Sequence, residues 1–285
     1  MNDLTEKEVS EIKSLITLID DEDESVYAVA RERLLSYKES VLEFIPFIED
    51  KNTVAEKRLS EVREILIRAS FKEQLRKLKR DQEGDIDLED GVFLFARQRY
   101  KDLDVARYVV QLNQYASELK EKLSSNTDET EILRRVISFF TDEKSFVGNR
   151  DDYYSEENHY INRVLDTKIG IPITLSVVYL LVGRRIDLPI QGIGLPGHFV
   201  LRFSFGNSHV YFDPFNGGKI LSRSDCEEIV TNLGFKFTEE YLQPVSNKQI
   251  LERMLRNIIL TLEKKHENER IETIRQFIDT INSDL

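Results

Sequence analysis

Gly194-Leu195-Pro196-Gly197-His198-Phe199-Val200-Leu201-Arg202-Phe203-Ser204-Phe205-Gly206-Asn207-Ser208-His209-Val210-Tyr211-Phe212-Asp213 holds two strand-length apolar runs on either side of Gly206-Asn207. Glycine and asparagine tolerate the positive φ angles that a two-residue hairpin turn demands. The stretch therefore predicts antiparallel strands over 199–205 and 209–213. With Phe205 paired to Ser208, Val200 lies opposite Asp213. His198 is then two residues along the same face, diagonal to the carboxylate and within cross-strand reach. An imidazole and a carboxylate so placed can hydrogen-bond, and the acid fixes the tautomer and orientation of the ring. Spacing alone leaves two readings open: a bond that holds a hairpin, or a positioned base.

Outward from the hairpin, residues 190–195 read as a third strand. Pro172 opens a helix to about 185, because proline at the first helical position has a suitable φ and loses no needed hydrogen bond. Downstream come a short helix over 225–233, a strand or turn over 235–241, and two closing helices over 247–264 and 267–283. Those two resemble a TPR-like hairpin. Upstream, residues 88–99, 104–123 and 130–141 carry helical periodicity. Residues 1–80 are helical as well. Thr5 and Glu8 have capping-box spacing, Ser25 is the expected N-cap of a second helix, and Pro46 interrupts a third over 41–48. A long helix follows over 55–78, and the pairs resemble HEAT-type units. The polar link 81–87 is a boundary signal. The expected domains are a possibly HEAT-like helical region 1–80, a core 86–245 and a helical hairpin 246–285.

Among 285 residues, 40 Lys and Arg face 52 Asp and Glu, for a net charge of −12. Basic residues are interleaved with acids, which argues against a nucleic-acid surface, since phosphate binding needs clustered cations. The single cysteine, Cys226, cannot form an internal disulfide or a structural zinc cluster, and its acidic helical context marks it as passive. The first residues lack a signal-peptide pattern and no run is long enough to span a membrane, so a cytoplasmic location is expected.

Five blocks carry a family resemblance: Gly148-Asn149-Arg150-Asp151-Asp152-Tyr153-Tyr154, Asn162-Arg163-Val164-Leu165, Gly170-Ile171-Pro172-Ile173-Thr174-Leu175-Ser176, Gly194-Leu195-Pro196-Gly197-His198-Phe199, and Phe212-Asp213-Pro214-Phe215-Asn216-Gly217-Gly218. In this order and spacing the chain resembles the bacterial transglutaminase-like family of the Sir-B-one type, which shares its core with a vertebrate F-box protein. The resemblance covers about residues 86–285. It implies an α+β fold: a transglutaminase- and papain-like core, one helix packed on a short antiparallel sheet, with helical additions at both ends. In that superfamily a cysteine at the start of a helix is followed by a histidine and an aspartate on adjacent strands. The helix tip lowers the thiol pKa, and the His–Asp pair supplies the base. The implied positions here are Pro172, His198 and Asp213, counting back to the helix tip from Asp187-Leu188-Pro189.

Proline has no nucleophile. The expected protein is therefore a non-catalytic binding or scaffold module for protein or peptide, with no cofactor and no metal. Thr174, Ser176, Asn216 and Asn158 are expected to line its groove. The alternative is a hydrolase or acyltransferase in which Ser176 or Thr174 serves His198 and Asp213. The bland alternative for both hydroxyls is back-bonding in the first turn and close helix packing. The family shows Asn-Ser where this chain has Asn158-His159, so His159 departs from the pattern and is expected to be exposed. His209, at the edge of the hairpin turn, is expected to be solvated. The acids at 151–152 lack the repeated spacing of a calcium loop.

Overall fold

The structure is a computed structural model and describes residues 4–45, 48, 52–78, 84–123, 128–206 and 208–284. The chain divides into two compact units, Met1–Lys77 and Leu78–Leu285.

The first unit contains α1 (Glu6–Leu18), α2 (Glu24–Ser36) and α3 (Val54–Arg76). Thr5 and Glu8 form the expected capping box: Glu8 N donates to Thr5 Oγ1 at 3.3 Å, and Thr5 N donates to the Glu8 carboxylate at 2.8 Å. Helix α2 starts earlier than its sequence suggests. Asp23, not Ser25, is the N-cap, and its carboxylate accepts from the Ser25 amide at 2.8 Å and hydroxyl at 2.7 Å. A carboxylate both satisfies the free N–H and complements the positive helix end, so it displaces the hydroxyl. Ile12, Ile19, Ala30, Leu34 and Val62 form the unit's core. Arg58 donates to the carbonyls of Ile19 and Asp21 at 3.0 and 2.9 Å, satisfying groups that the end of α1 leaves free. Pro46, expected to interrupt a helix, lies outside the described residues.

In the second unit, α4 (Leu88–Arg99), α5 (Val105–Lys122) and α6 (Glu129–Ser138) precede a short parallel pairing of β1 (Val147–Gly148) with β2 (Ile169–Gly170). Between those two strands lies α7 (Ile161–Thr167), and α8 (Pro172–Arg185) follows at once. The main sheet contains β3 (Ile190–Ile193), β4 (Val200–Phe205), β5 (Ser208–Asp213) and β6 (Lys219–Leu221), antiparallel in that order. The chain ends with α9 (Arg223–Asn232), α10 (Asn247–Lys264) and α11 (Asn268–Asp284). Phe205 pairs with Ser208, the register read from the sequence; Asn207 of the turn lies outside the described residues. Residues 235–241 form no strand and lead into a 3-10 turn, Glu239–Leu242.

Register decides the faces, because side chains alternate along a strand. Leu201 opposes Phe212, and Phe203 opposes Val210. On this side the Tyr179 ring of α8 lies 5.8 Å from Phe212 and 3.9 Å from Phe140. On the other side Ile193, Val200 and Tyr211 pack with Cys226 and Val230 of α9. Both faces are covered; α8 itself is enclosed by the sheet and by α5, α7 and α10, which is why it is apolar nearly all round rather than along one stripe.

Residues 246–285, expected as a separate domain, belong to the second unit, where α10 pairs with α11 and also packs on α4 and α8. Ile250, Leu251, Met254, Leu255, Ile258 and Leu262 are all buried on α10. Burying six such side chains is worth on the order of 10 kcal/mol, comparable to the net stability of a whole domain, so α10 is part of the core. No described helix is long and apolar enough to cross a membrane.

Candidate functional site

Helix α8 begins with Pro172 at its first position, after an extended Ile171. The hydroxyls that follow are not available to a ligand. Thr174 Oγ1 donates to Asn158 O at 2.6 Å and accepts from Ile171 N at 3.3 Å, while Ser176 Oγ donates to Pro172 O at 2.7 Å. Both residues are fully buried. Asn158 is buried too: its amide donates to the carbonyls of Asp152 and Tyr153 at 2.8 and 3.0 Å and accepts from Asn149 Nδ2 at 3.0 Å. Of the residues expected to line the groove, Thr174 and Asn158 instead tie residues 149–158 to the helix tip, and Ser176 back-bonds within the first turns of α8. Their polar groups are spent on backbone partners because burial leaves no water to satisfy them.

The turn before β4 places the histidine. Gly197 takes φ +70°, and a side chain there would meet Leu233 at 2.5 Å. His198 N donates to Leu195 O at 3.1 Å, and His198 Nε2 lies 2.7 Å from Asp213 Oδ2. This bond occupies Nε2 and leaves Nδ1 of the ring outside it. Asp213 is 1% exposed, and its second oxygen accepts from the amides of Phe215 and Asn216 at 3.0 and 3.2 Å. Asn216 Nδ2 adds a bond to Oδ2 at 2.6 Å, and Arg150 in turn donates to Asn216 Oδ1. Asn216 is exposed and positions the acid from outside, rather than lining the groove. Burial pushes the Asp213 carboxyl up, but the bonds and charge of His198 and the bonds from Asn216 outweigh it and hold it below its ordinary value. Gly148 lets the loop after Asp213 close in, since a side chain at 148 would lie 2.5 Å from Phe215 O.

A cleft of about 320 Å³ opens where these elements meet. Pro172 and His198 form part of one wall; Arg253, Asn257 and Thr261 of α10 form part of the other, with Tyr153 beside them. Arg253 Nη2 donates to Leu195 O at 2.5 Å and to His198 O at 2.6 Å, so α10 also fixes the backbone that carries the histidine. His159, expected to be exposed, is 2% exposed, with Nε2 2.8 Å from Thr261 Oγ1. Burial pulls it down to about 4, which keeps the ring neutral. Arg253, Asn257 and Thr261 escaped the sequence reading. The available signal was polar residues at i, i+4 and i+8 along a helix, each followed by an apolar residue, Met254, Ile258 and Leu262.

Other expected positions fall away from the cleft. His209 is exposed and bonds the Tyr211 hydroxyl at 2.9 Å. Cys226 is fully buried behind the sheet, and burial pushes its thiol up to about 11. Among the described residues, no group of three His, Cys, Asp or Glu is placed to hold a metal ion.

A mixed helix-and-sheet domain in which a helix tip faces a histidine bonded to a buried aspartate on neighbouring strands points to one class of proteins. Residues 106–256 match the family model described as the Transglutaminase-like superfamily, and the chain belongs to that superfamily. It is 31% identical over 179 residues to a UPF0162 protein of Xylella fastidiosa (strain 9a5c), covering 61% of this chain and 64% of that one. Over 159 residues it is 30% identical to F-box only protein 21 of Mus musculus, covering 53% of this chain and 25% of the mouse protein. A UPF0162 protein of Vibrio cholerae is 29% identical over 149 residues, or 51% of this chain and 55% of that protein. The chain thus spans less than two thirds of the length of each of these relatives. No solved structure matches it.

Proposed function

We propose that this chain is a non-catalytic member of its superfamily, a cytoplasmic module whose cleft holds a peptide segment of a protein partner. The observation that carries the reading is Pro172. The helix tip that borders the cleft beside His198 ends in an imino acid, whereas a papain-type mechanism needs a thiolate there. His198 and Asp213 keep the geometry of a base and its orienting acid. The hydroxyls nearest in sequence are buried and bonded to carbonyls, so neither Thr174 nor Ser176 supports the alternative of an acyl-transferring enzyme. Likeness to a protein named for an F-box is in keeping with a role in protein interaction. On this reading the retained pair shapes and polarises a binding cleft, and the helical hairpin α10–α11 is a TPR-like addition that supplies its second wall.

The test is turnover. Purified protein incubated with acyl, amide and peptide substrates is expected to show no product whose formation depends on His198. Activity in the native chain that disappears in His198→Ala overturns the proposal.

A further inference from the structure

The cleft is unlike the rest of the chain in charge. The sequence has 52 acids, yet among the described residues none that borders the cleft is Asp or Glu. It does contain Arg253. Among the described residues this guanidinium donates to two neutral carbonyls, Leu195 O and His198 O, both from Nη2. Among the described residues its other N–H groups, on Nε and Nη1, make no hydrogen bond and are left for another partner. Burial pulls the Arg253 pKa below its ordinary value, with no carboxylate opposing the shift. A sheltered cation with only neutral neighbours is costly unless an anion arrives to balance it. Lys264, 3.0 Å from the centre of the Tyr154 ring at the cleft's edge, adds a second positive charge.

We infer that the cleft takes the carboxylate of a peptide, with Arg253 as its counter-ion and Asn257, one helical turn on, as a second polar contact. The inference rests on the reading of the cleft as a peptide site and adds the chemistry of the ligand. The volume, about 320 Å³, is at the small end for ligand sites and suits one or two residues of an extended chain rather than a helix. Leu260, 54% exposed, offers apolar surface at the cleft for a peptide side chain. A carboxylate fits better than a phosphate. Phosphate sites rely on clustered cations or on the first free amides of a helix, and Pro172 removes one amide from the tip of α8.

The experiment uses the full chain, immobilised and exposed to three pools of N-acetylated tetrapeptides. One pool has free C-termini and no Asp or Glu, one is amidated with Asp and Glu, and one is amidated without them. Retention of either carboxylate-bearing pool, with loss of the third, is expected, and the first two distinguish a terminal from a side-chain carboxylate. For a retained peptide, Arg253→Gln and the isosteric Asn257→Asp are each expected to weaken binding by about tenfold or more, the range for charge-assisted hydrogen bonds. Circular dichroism checks folding, and Asn257→Asp carries the test if Arg253→Gln does not fold. Equal retention of all three pools overturns the carboxylate inference while leaving peptide binding intact. Retention of none overturns both.

Discussion

The two walls of the cleft are held in different ways. On the wall of α8, β4 and β5, the oxygens nearest the cleft are bonded within the protein: Asp213 is surrounded by donors, Thr174 and Ser176 bond carbonyls, and the helix tip is a proline. On the α10 wall, Arg253 keeps donors in reserve and Asn257 faces the same space. A wall whose oxygens are bonded within the protein is held in place, whereas a wall with unspent donors can meet something else. The first keeps His198 and Asp213 bonded beside a helix tip that is a proline, and on the proposed reading it lacks a nucleophile. On the same reading the second offers recognition.

If the first wall is rigid because of Asp213, removing that carboxylate has the largest effect. Asp213→Ala strands the donors of His198, Phe215 and Asn216 and is expected to cost about 3–5 kcal/mol in chemical denaturation. A loss below about 1 kcal/mol means the network does not hold the wall.

The second wall is joined to the core by His159 and Thr261, and this joint is sensitive to pH. The folded pKa of His159 is lowered from 6.5 to about 4, so between those values the unfolded chain binds the extra proton. Its contribution is therefore complete above pH 6.5 and is lost as pH falls towards 4, on the order of 3 kcal/mol in all. His159→Gln is expected to flatten that part of the stability profile. Identical slopes for the variant and the native chain contradict a buried neutral ring.

Glu156 makes a further tie, accepting from Arg270 of α11 and from Arg99 at 3.2 Å, and it also pairs with Lys265 at 3.6 Å. Burial pushes this carboxyl up, but Arg270, Arg99 and Lys265 bring it down to about 2. Glu156→Gln is expected to cost about 2 kcal/mol at neutral pH, and the difference between variant and native chain to shrink as pH falls from 4.5 towards 2. A difference that stays constant with pH removes the carboxylate's role.

The smallest effect concerns reactivity. Pro172→Cys puts a thiol on the helix tip, and its alkylation at pH 6 is expected to be about tenfold faster than in Pro172→Cys with His198→Ala, because a neighbouring base and helix end favour the thiolate. Cys226 serves as an unreactive internal reference, with its buried thiol pushed up to about 11. Equal rates with and without His198 would show that residue 172 is not the position the nucleophile left.

Much of the first wall was legible in the sequence, because short-range rules govern it. Strand alternation and the turn at Gly206 gave the pairing of Phe205 with Ser208, and with it the approach of His198 to Asp213. Pro172 announced the start of α8. The helix starting at Glu24 was harder, since several acids around Asp23 compete to cap it and only the folded backbone selects one. The second wall depends on contacts distant in sequence. His159 is buried because Thr261, 102 positions away, meets its ring, and Arg253 reaches back 55 residues to His198. Periodicity shows that α10 has an apolar face but not which cleft its polar stripe will border.

Covalent labelling addresses most directly whether the cleft is inert. Native protein is treated with an electrophilic acyl probe and the modified residues are mapped by mass spectrometry, alongside His198→Ala. The expected result is the same background labelling in both proteins, with no adduct at the cleft. An adduct on a side chain there, present in the native chain and absent from His198→Ala, would contradict it.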